Sequence, residues 1–118
     1  HVGVIGLGIM GSAMASNMLK AGFRVTGFDV VPAARTVLAK EGGRAARSAG
    51  EVARAAPIVI TSLPTAAAVE SVAAEIAATK RRGLIVVETS TMPLETKERA
   101  RAILAKAGIT LMDCPLSG

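Results

Sequence analysis

Apolar and polar positions fall into short blocks whose period switches back and forth along the chain. Runs at residues 2–5, 24–28, 58–61, 84–87 and 109–112, most of them rich in Val, Ile and Leu, have the length of strands, and Arg44–Ala45 reads as a short further one. Between them, residues 10–21, 32–40, 49–55, 66–79 and 93–107 read as helices. The first helix sets Met10, Met14, Asn17, Met18 and Ala21 along one side, and the last sets Ala100, Ile103, Leu104 and Ala107 likewise. Both stripes are expected to face a core.

Local signals agree with these boundaries. Ser48-Ala49-Gly50-Glu51 has the spacing of a capping box. Pro32 and Pro93 suit the first turn of a helix. Gly22 and Gly108 follow Lys20-Ala21 and Lys106-Ala107, as left-handed residues closing a basic last turn. Strands alternating with helices imply parallel pairing and right-handed crossovers. The expected fold is therefore α/β, a doubly wound parallel sheet with both faces covered and the strand order 3-2-1-4-5-6. In such a sheet ligands bind at the carboxyl ends of the strands. Chemistry is then expected just after Ile5, Phe28, Thr61, Val87 and Met112.

The first of these strand ends carries Gly6-Leu7-Gly8-Ile9-Met10-Gly11. Strand, G-x-G-x-x-G and helix in that order form the pyrophosphate cradle of a Rossmann-type dinucleotide-binding domain. Gly6 permits the tight turn, Gly8 admits the phosphates to the backbone, and Gly11 lets helix and strand approach. The free N–H groups and positive dipole end of the helix favour the anion. An acidic residue belongs about 20 residues further on, and Asp29 stands there, after the second strand. Its carboxylate suits the ribose hydroxyls and repels a 2′-phosphate, so the expected cofactor is NAD, with NADP less favoured. The plainer reading is an Asp capping the next helix, against which Pro32 places the cap at Val31.

Composition narrows the function classes. The 118 residues amount to one domain, 51% hydrophobic, with Phe23 and Phe28 the only aromatics. The formal charge is +5, but its one cluster, Lys80-Arg81-Arg82, lies where a helix should end and reads as a solvated terminus. With no aromatic platform beside it, no nucleic-acid partner is expected. A single cysteine, Cys114, excludes an intrachain disulfide and a thiol metal site, and His1 is a poor ligand or base, so no metal is expected. No charged-then-apolar leader or membrane-length apolar run is visible, and a reducing, cytoplasmic setting is the default expectation. The chain starts inside a strand without Met and stops in a loop, which reads as a piece of a longer protein.

The remaining strand ends carry hydroxyls and turn residues. Ser62-Leu63-Pro64-Thr65 offers a stiff turn, a helix cap at Thr65 and a wall for the nicotinamide. Glu88-Thr89-Ser90-Thr91-Met92-Pro93 sets hydroxyls before a helix, where they suit a carboxylate or cap the helix; one of them is expected to cap. In Asp113-Cys114-Pro115-Leu116-Ser117-Gly118, Cys114 reads as a small buried residue, not a nucleophile, because no histidine can partner it.

Taken together, these motifs resemble the β-hydroxyacid dehydrogenases, a family that includes 3-hydroxyisobutyrate dehydrogenases and tartronate semialdehyde reductases. The Gly-rich turn continuing to Gly22 resembles the family's opening, Leu63-Pro64-Thr65 its nicotinamide-side loop, and Ser90-Thr91 its segment reaching both cofactor and substrate. Residues 113–118 resemble its Asp-Ala-Pro-Val-Ser-Gly substrate motif, with Cys for Ala and Leu for Val. The resemblance implies hydride transfer between nicotinamide and a short β-hydroxy acid or its aldehyde. Gly6, Leu7, Gly8, Ile9, Met10, Gly11, Asp29, Leu63, Pro64, Ala68 and Thr91 are then expected at the cofactor, and Thr91, Ser117 and Gly118 at the substrate. It also implies a catalytic lysine beyond Gly118, a helical second domain outside this chain, and a homo-oligomer.

Three other readings compete. 6-Phosphogluconate dehydrogenases and imine reductases share the opening, but they commonly carry an Asn-Arg-Ser/Thr type sequence where this chain has Phe28-Asp29-Val30. A non-enzymatic module for oligomerisation and chromatin contact is compatible with the basic charge, yet it leaves Asp29 and the intact Gly-rich turn without a purpose. A cofactor-binding module without catalysis is what this piece would be if its second half were absent.

Overall fold

The computed structural model describes residues 1–116. Six strands, β1 (Val2–Ile5), β2 (Val25–Phe28), β3 (Arg44–Ala45), β4 (Ile58–Thr61), β5 (Ile85–Glu88) and β6 (Thr110–Asp113), alternate with five helices. The helices are α1 (Ile9–Lys20), α2 (Pro32–Lys40), α3 (Ala49–Ala55), α4 (Ala66–Ala78) and α5 (Leu94–Ala105). All pairs are parallel and the order is β3-β2-β1-β4-β5-β6, as the sequence predicts. Strands β5 and β6 run one residue later than expected. Glu88 and Asp113 look like loop residues in sequence, yet Glu88 pairs in register with Thr61 on one side and with Asp113 on the other.

Alternation along the strands sorts the core into two layers. Ile5, Val59, Val86 and Leu111 face α3, α4 and α5, where Val52, Ile76, Ala100 and Leu104 lie at 1% exposure or less. Val4 and Val25 face the other way and pack with Leu7, Ala15 and Leu38 beneath α1 and α2. The expectation of two covered faces holds only in part. Over β4–β6 the α1-side face meets no described helix: Ile60, Ile85 and Val87 stay half-buried, and Ile58 and Met112 are 40% and 48% exposed.

The α5 stripe of Ala100, Ile103, Leu104 and Ala107 faces the core as expected. The α1 stripe does so only in part, at Met18. Its buried residues are Gly11 and Ala15, joined by Met18 and Leu19, while Met10 is 44% exposed and Asn17 is exposed. The small residues turn inward because α1 starts on top of β1, where bulk has no room. Hydrophobic periodicity gives weight to large apolar side chains and so passes over Gly11 and Ala15.

Caps mostly follow the sequence. Gly22 and Gly108 adopt φ of 94° and 74°, and Pro32 follows the N-cap Val31. The Ser48 hydroxyl accepts the Glu51 N–H, but Glu51 reaches back to the Arg47 N–H instead of to Ser48. In the basic cluster, Lys80 and Arg82 are solvated, as expected. Arg81 departs from that reading: its guanidinium donates to the carbonyls of Ala53 and Ala56, at 2.6 and 2.8 Å, and so closes the end of α3. Arg81→Met leaves these buried-residue carbonyls without that donor and should cost about 1–3 kcal/mol. Urea unfolding should show a lower midpoint at unchanged slope, with Lys80→Met staying within about 0.5 kcal/mol of the parent.

Candidate functional site

The carboxyl ends of the strands form one rim, and the Gly-rich turn occupies its centre because β1 is flanked by β2 and β4. Gly6 adopts φ of 94°, which side-chain-bearing residues rarely reach, and a Cβ on it would collide with the Ser62 carbonyl. A Cβ on Gly11 would collide with the carbonyl of Gly6. Both glycines are therefore demanded by the protein's own packing. Gly8 is not: a Cβ there would meet nothing within 4 Å. It is the N-cap of α1, and its carbonyl receives the Ser12 N–H, so the N–H groups of Ile9, Met10 and Gly11 precede the helical ladder. Open space lies in front of Gly8, and Ile9 is 90% exposed beside it. A backbone without a side chain, facing open space at a helix N-terminus, fits a pyrophosphate.

Asp29 follows β2 and is half-buried. One carboxylate oxygen accepts the Leu7 N–H at 2.7 Å, and the other accepts the Val31 N–H at 2.8 Å. The second bond is a local Asx-type turn. The first reaches across to the Gly-rich turn, which a simple helix cap would not do. Val31 is the N-cap of α2 and has no side-chain bond. Arg35, which the sequence reading did not single out, donates to the Asp29 carbonyl at 2.7 Å and stands 5.7 Å from the centre of the Phe28 ring.

On the other side of β1, the Thr65 hydroxyl caps α4 by accepting the Ala68 N–H, as expected. Pro64 and Thr65 are exposed, and Leu63 is half-buried. None of the three hydroxyls before α5 caps that helix, contrary to expectation: its N-cap is Pro93, with no side-chain bond. The hydroxyls are used across the rim instead. Thr89 donates to the Thr61 carbonyl at 2.8 Å, and Ser90 accepts the Leu63 N–H at 2.7 Å. Thr91 is exposed next to them. Cys114 is half-buried, less enclosed than expected, and its N–H donates to the Glu88 carbonyl. Ser117 and Gly118 lie outside the described residues.

Contacts thus run without a break from Asp29 through Leu7 and Gly6 to Ser62 and Leu63, and on to Ser90 beside Thr91. Behind this line sits a charged group that sequence reasoning missed. Lys97 is 3% exposed and Glu88 2%. The Lys97 ammonium donates to Asp113 at 2.6 Å and lies 3.8 Å from Glu88. Glu88 in turn accepts the Thr61 hydroxyl and the Ser90 N–H. The available signal was an acidic residue at the end of two neighbouring apolar strands. Among the described residues there is no metal-binding cluster and no helix long and apolar enough to cross a membrane.

A family model for the NAD binding domain of 6-phosphogluconate dehydrogenase matches residues 1–118. The NAD-dependent L-serine dehydrogenase of Pseudomonas aeruginosa is 36% identical over 100% of this chain and 41% of its own length. The solved structure of Mycobacterium tuberculosis 3-hydroxyisobutyrate dehydrogenase with L-serine superimposes with a TM-score of 0.94, at 33% identity, over 99% of this chain and 40% of that one. An imine reductase from a Pseudomonas species also superimposes, with a TM-score of 0.87 at 30% identity over 93% of this chain and 38% of that one. The chain therefore spans about two fifths of the length of these proteins. Matched along its whole length by the family model, the chain belongs to that family and is an NAD-binding domain of the kind that hydroxyacid dehydrogenases carry.

Proposed function

We propose that the whole protein oxidises a short β-hydroxy acid, or reduces the matching aldehyde, with NAD. The observation that carries this reading is the Asp29 carboxylate tied to the Leu7 N–H, which sets a fixed negative charge beside the open Gly8 face. In this reading the N–H groups of residues 9–11 hold the pyrophosphate, and Leu7, Ile9 and Met10 shape its approach. Asp29 accepts the ribose hydroxyls through lone pairs its backbone bonds leave free. Leu63, Pro64 and Ala68 flank the nicotinamide, and Thr91 reaches both cofactor and substrate. When bound, NAD supplies the hydride acceptor at C4 of its nicotinamide.

Thr91, Ser117 and Gly118 hold the substrate carboxylate and take no part in the proton transfer at its hydroxyl, since hydroxyls and backbone N–H groups do not titrate near neutral pH. The general acid/base is assigned to a lysine outside these 118 residues. Lys97, the buried lysine of the rim, is held by carboxylates and turned away from such work. Substrates, assembly into a homo-oligomer and a cytoplasmic setting belong to this same reading.

Titration of the protein with both cofactors should give tighter NADH than NADPH binding. The pair Asp29→Ser with Val30→Arg should relax or reverse that order, because the repelling carboxylate goes and a cation arrives. It should also lower stability, since the Leu7 and Val31 amides lose a charged acceptor. Tighter NADPH binding by the unaltered protein, with reduction of an imine, would favour the imine-reductase reading.

Ser117→Ala should lower kcat/KM about 10–100-fold for a hydroxy acid, the value of a hydrogen bond to a charged group. NAD affinity should change little. The comparison uses the hydroxy acid and the matching simple alcohol; an equal loss on both would remove Ser117 from the carboxylate site.

A further inference from the structure

Lys97 is locally disfavoured twice. It lies at the start of α5, where the helix dipole opposes a cation, and it is buried, where an ammonium must be paired. Buried ion pairs bring little net stability over an apolar replacement of similar size, so packing alone does not explain this residue. Its partners do. Glu88 and Asp113 are the last residues of β5 and β6 and are paired in register. Each strand end leads directly into a rim segment. Glu88 accepts the Ser90 N–H with its side chain at 2.6 Å and the Cys114 N–H with its carbonyl at 2.8 Å. The Leu116 N–H donates to the Thr89 carbonyl at 3.2 Å, so the two segments are also joined further out.

We propose that Lys97 is a positioning residue: by drawing Asp113 toward Glu88 from behind the sheet, it locks residues 89–91 and 114–116 into one arrangement at the substrate side of the rim. The ammonium is the single cation facing both carboxylates among the described ion pairs. Without it, the two negative charges meet at neighbouring strand ends with nothing between them, and the segments they begin separate. The Gly-rich turn stands at the end of β1 and Asp29 lies beyond it, after β2, and neither shares a hydrogen bond with Lys97. The two halves of the rim should therefore respond differently to its loss.

The substrate part of this inference rests on the function proposed above; the structural part does not. The whole protein and its Lys97→Met variant are compared by ADP-ribose affinity, by amide hydrogen exchange, and by KM and kcat for a β-hydroxy acid. In Lys97→Met, exchange at Ser90, Cys114 and Leu116 should rise about tenfold or more, with Gly6 and Leu7 unchanged. ADP-ribose affinity should stay within about twofold while KM for the hydroxy acid rises about tenfold. If Lys97→Met binds no ADP-ribose, Lys97→Gln, which keeps a donor, carries the same comparison.

Unchanged exchange at Ser90, Cys114 and Leu116 overturns the proposal. So does a loss of ADP-ribose binding in both variants, which would make Lys97 a requirement of the whole fold. Faster exchange with unchanged KM removes the link to substrate. Absence of hydroxy-acid turnover in the unaltered protein refutes the functional reading instead, and the exchange data still decide the role of Lys97.

Discussion

Everything at the rim depends on a backbone ladder that runs one residue past the ends of the strands. Gly6 donates to Phe28, Ser62 to Ile5, Thr89 to Thr61 and Cys114 to Glu88, all at 2.8–2.9 Å. Parallel strands in a common register would otherwise end in loose carbonyls. Here each carbonyl is taken by the first residue of a neighbouring loop. The direction in which each loop leaves the sheet is thereby set before any side chain contributes. The Gly-rich turn is the tightest case, because two carbonyls, those of Ser62 and Gly6, occupy the space that side chains on Gly6 and Gly11 would need.

Side chains then divide the rim into two differently built halves. On the β2 side, Asp29 makes two charge-assisted backbone bonds, one closing its own turn at Val31 and one tying that turn to the Gly-rich turn at Leu7. Hydroxyls and a buried ion group join the loops on the β4–β6 side, and no buried side-chain nitrogen or oxygen among the described residues lacks a partner. A satisfied buried network favours one geometry over near alternatives, since each rearrangement strands a charge. The proposed meeting of a small acid with a nicotinamide would require a surface fixed in this way.

The strand order and the three glycines were legible in the sequence, because alternating periods and G-x-G-x-x-G are local patterns with few structural solutions. Asp29 was legible by spacing, but not its bond to Leu7, which depends on how β1 and β2 align. Three features escaped. The inward face of α1 is made of Gly11 and Ala15, since close approach to β1 outweighs the burial that Met10 would gain. The hydroxyls at residues 89–90 bond across the rim because Thr61 and Leu63 offer partners that compete with capping. Lys97 belongs to no motif, and only the register of β5 with β6 reveals why it is inside.

Gly6 and Gly11 are demanded by the fold, whereas Gly8 faces open space and is left for the pyrophosphate in the function proposed above. The direct measurement is the NAD affinity of Gly8→Ala set beside its unfolding free energy, with Gly11→Ala as the contrasting variant. Gly8→Ala should stay within about 1 kcal/mol of the parent, the scale of an N-cap change. Its NAD affinity should weaken about tenfold or more, as the methyl group occupies the approach of the pyrophosphate. Gly11→Ala should lose about 3 kcal/mol or more through its clash with the Gly6 carbonyl. A stable Gly8→Ala that binds NAD as tightly as the parent would contradict the account.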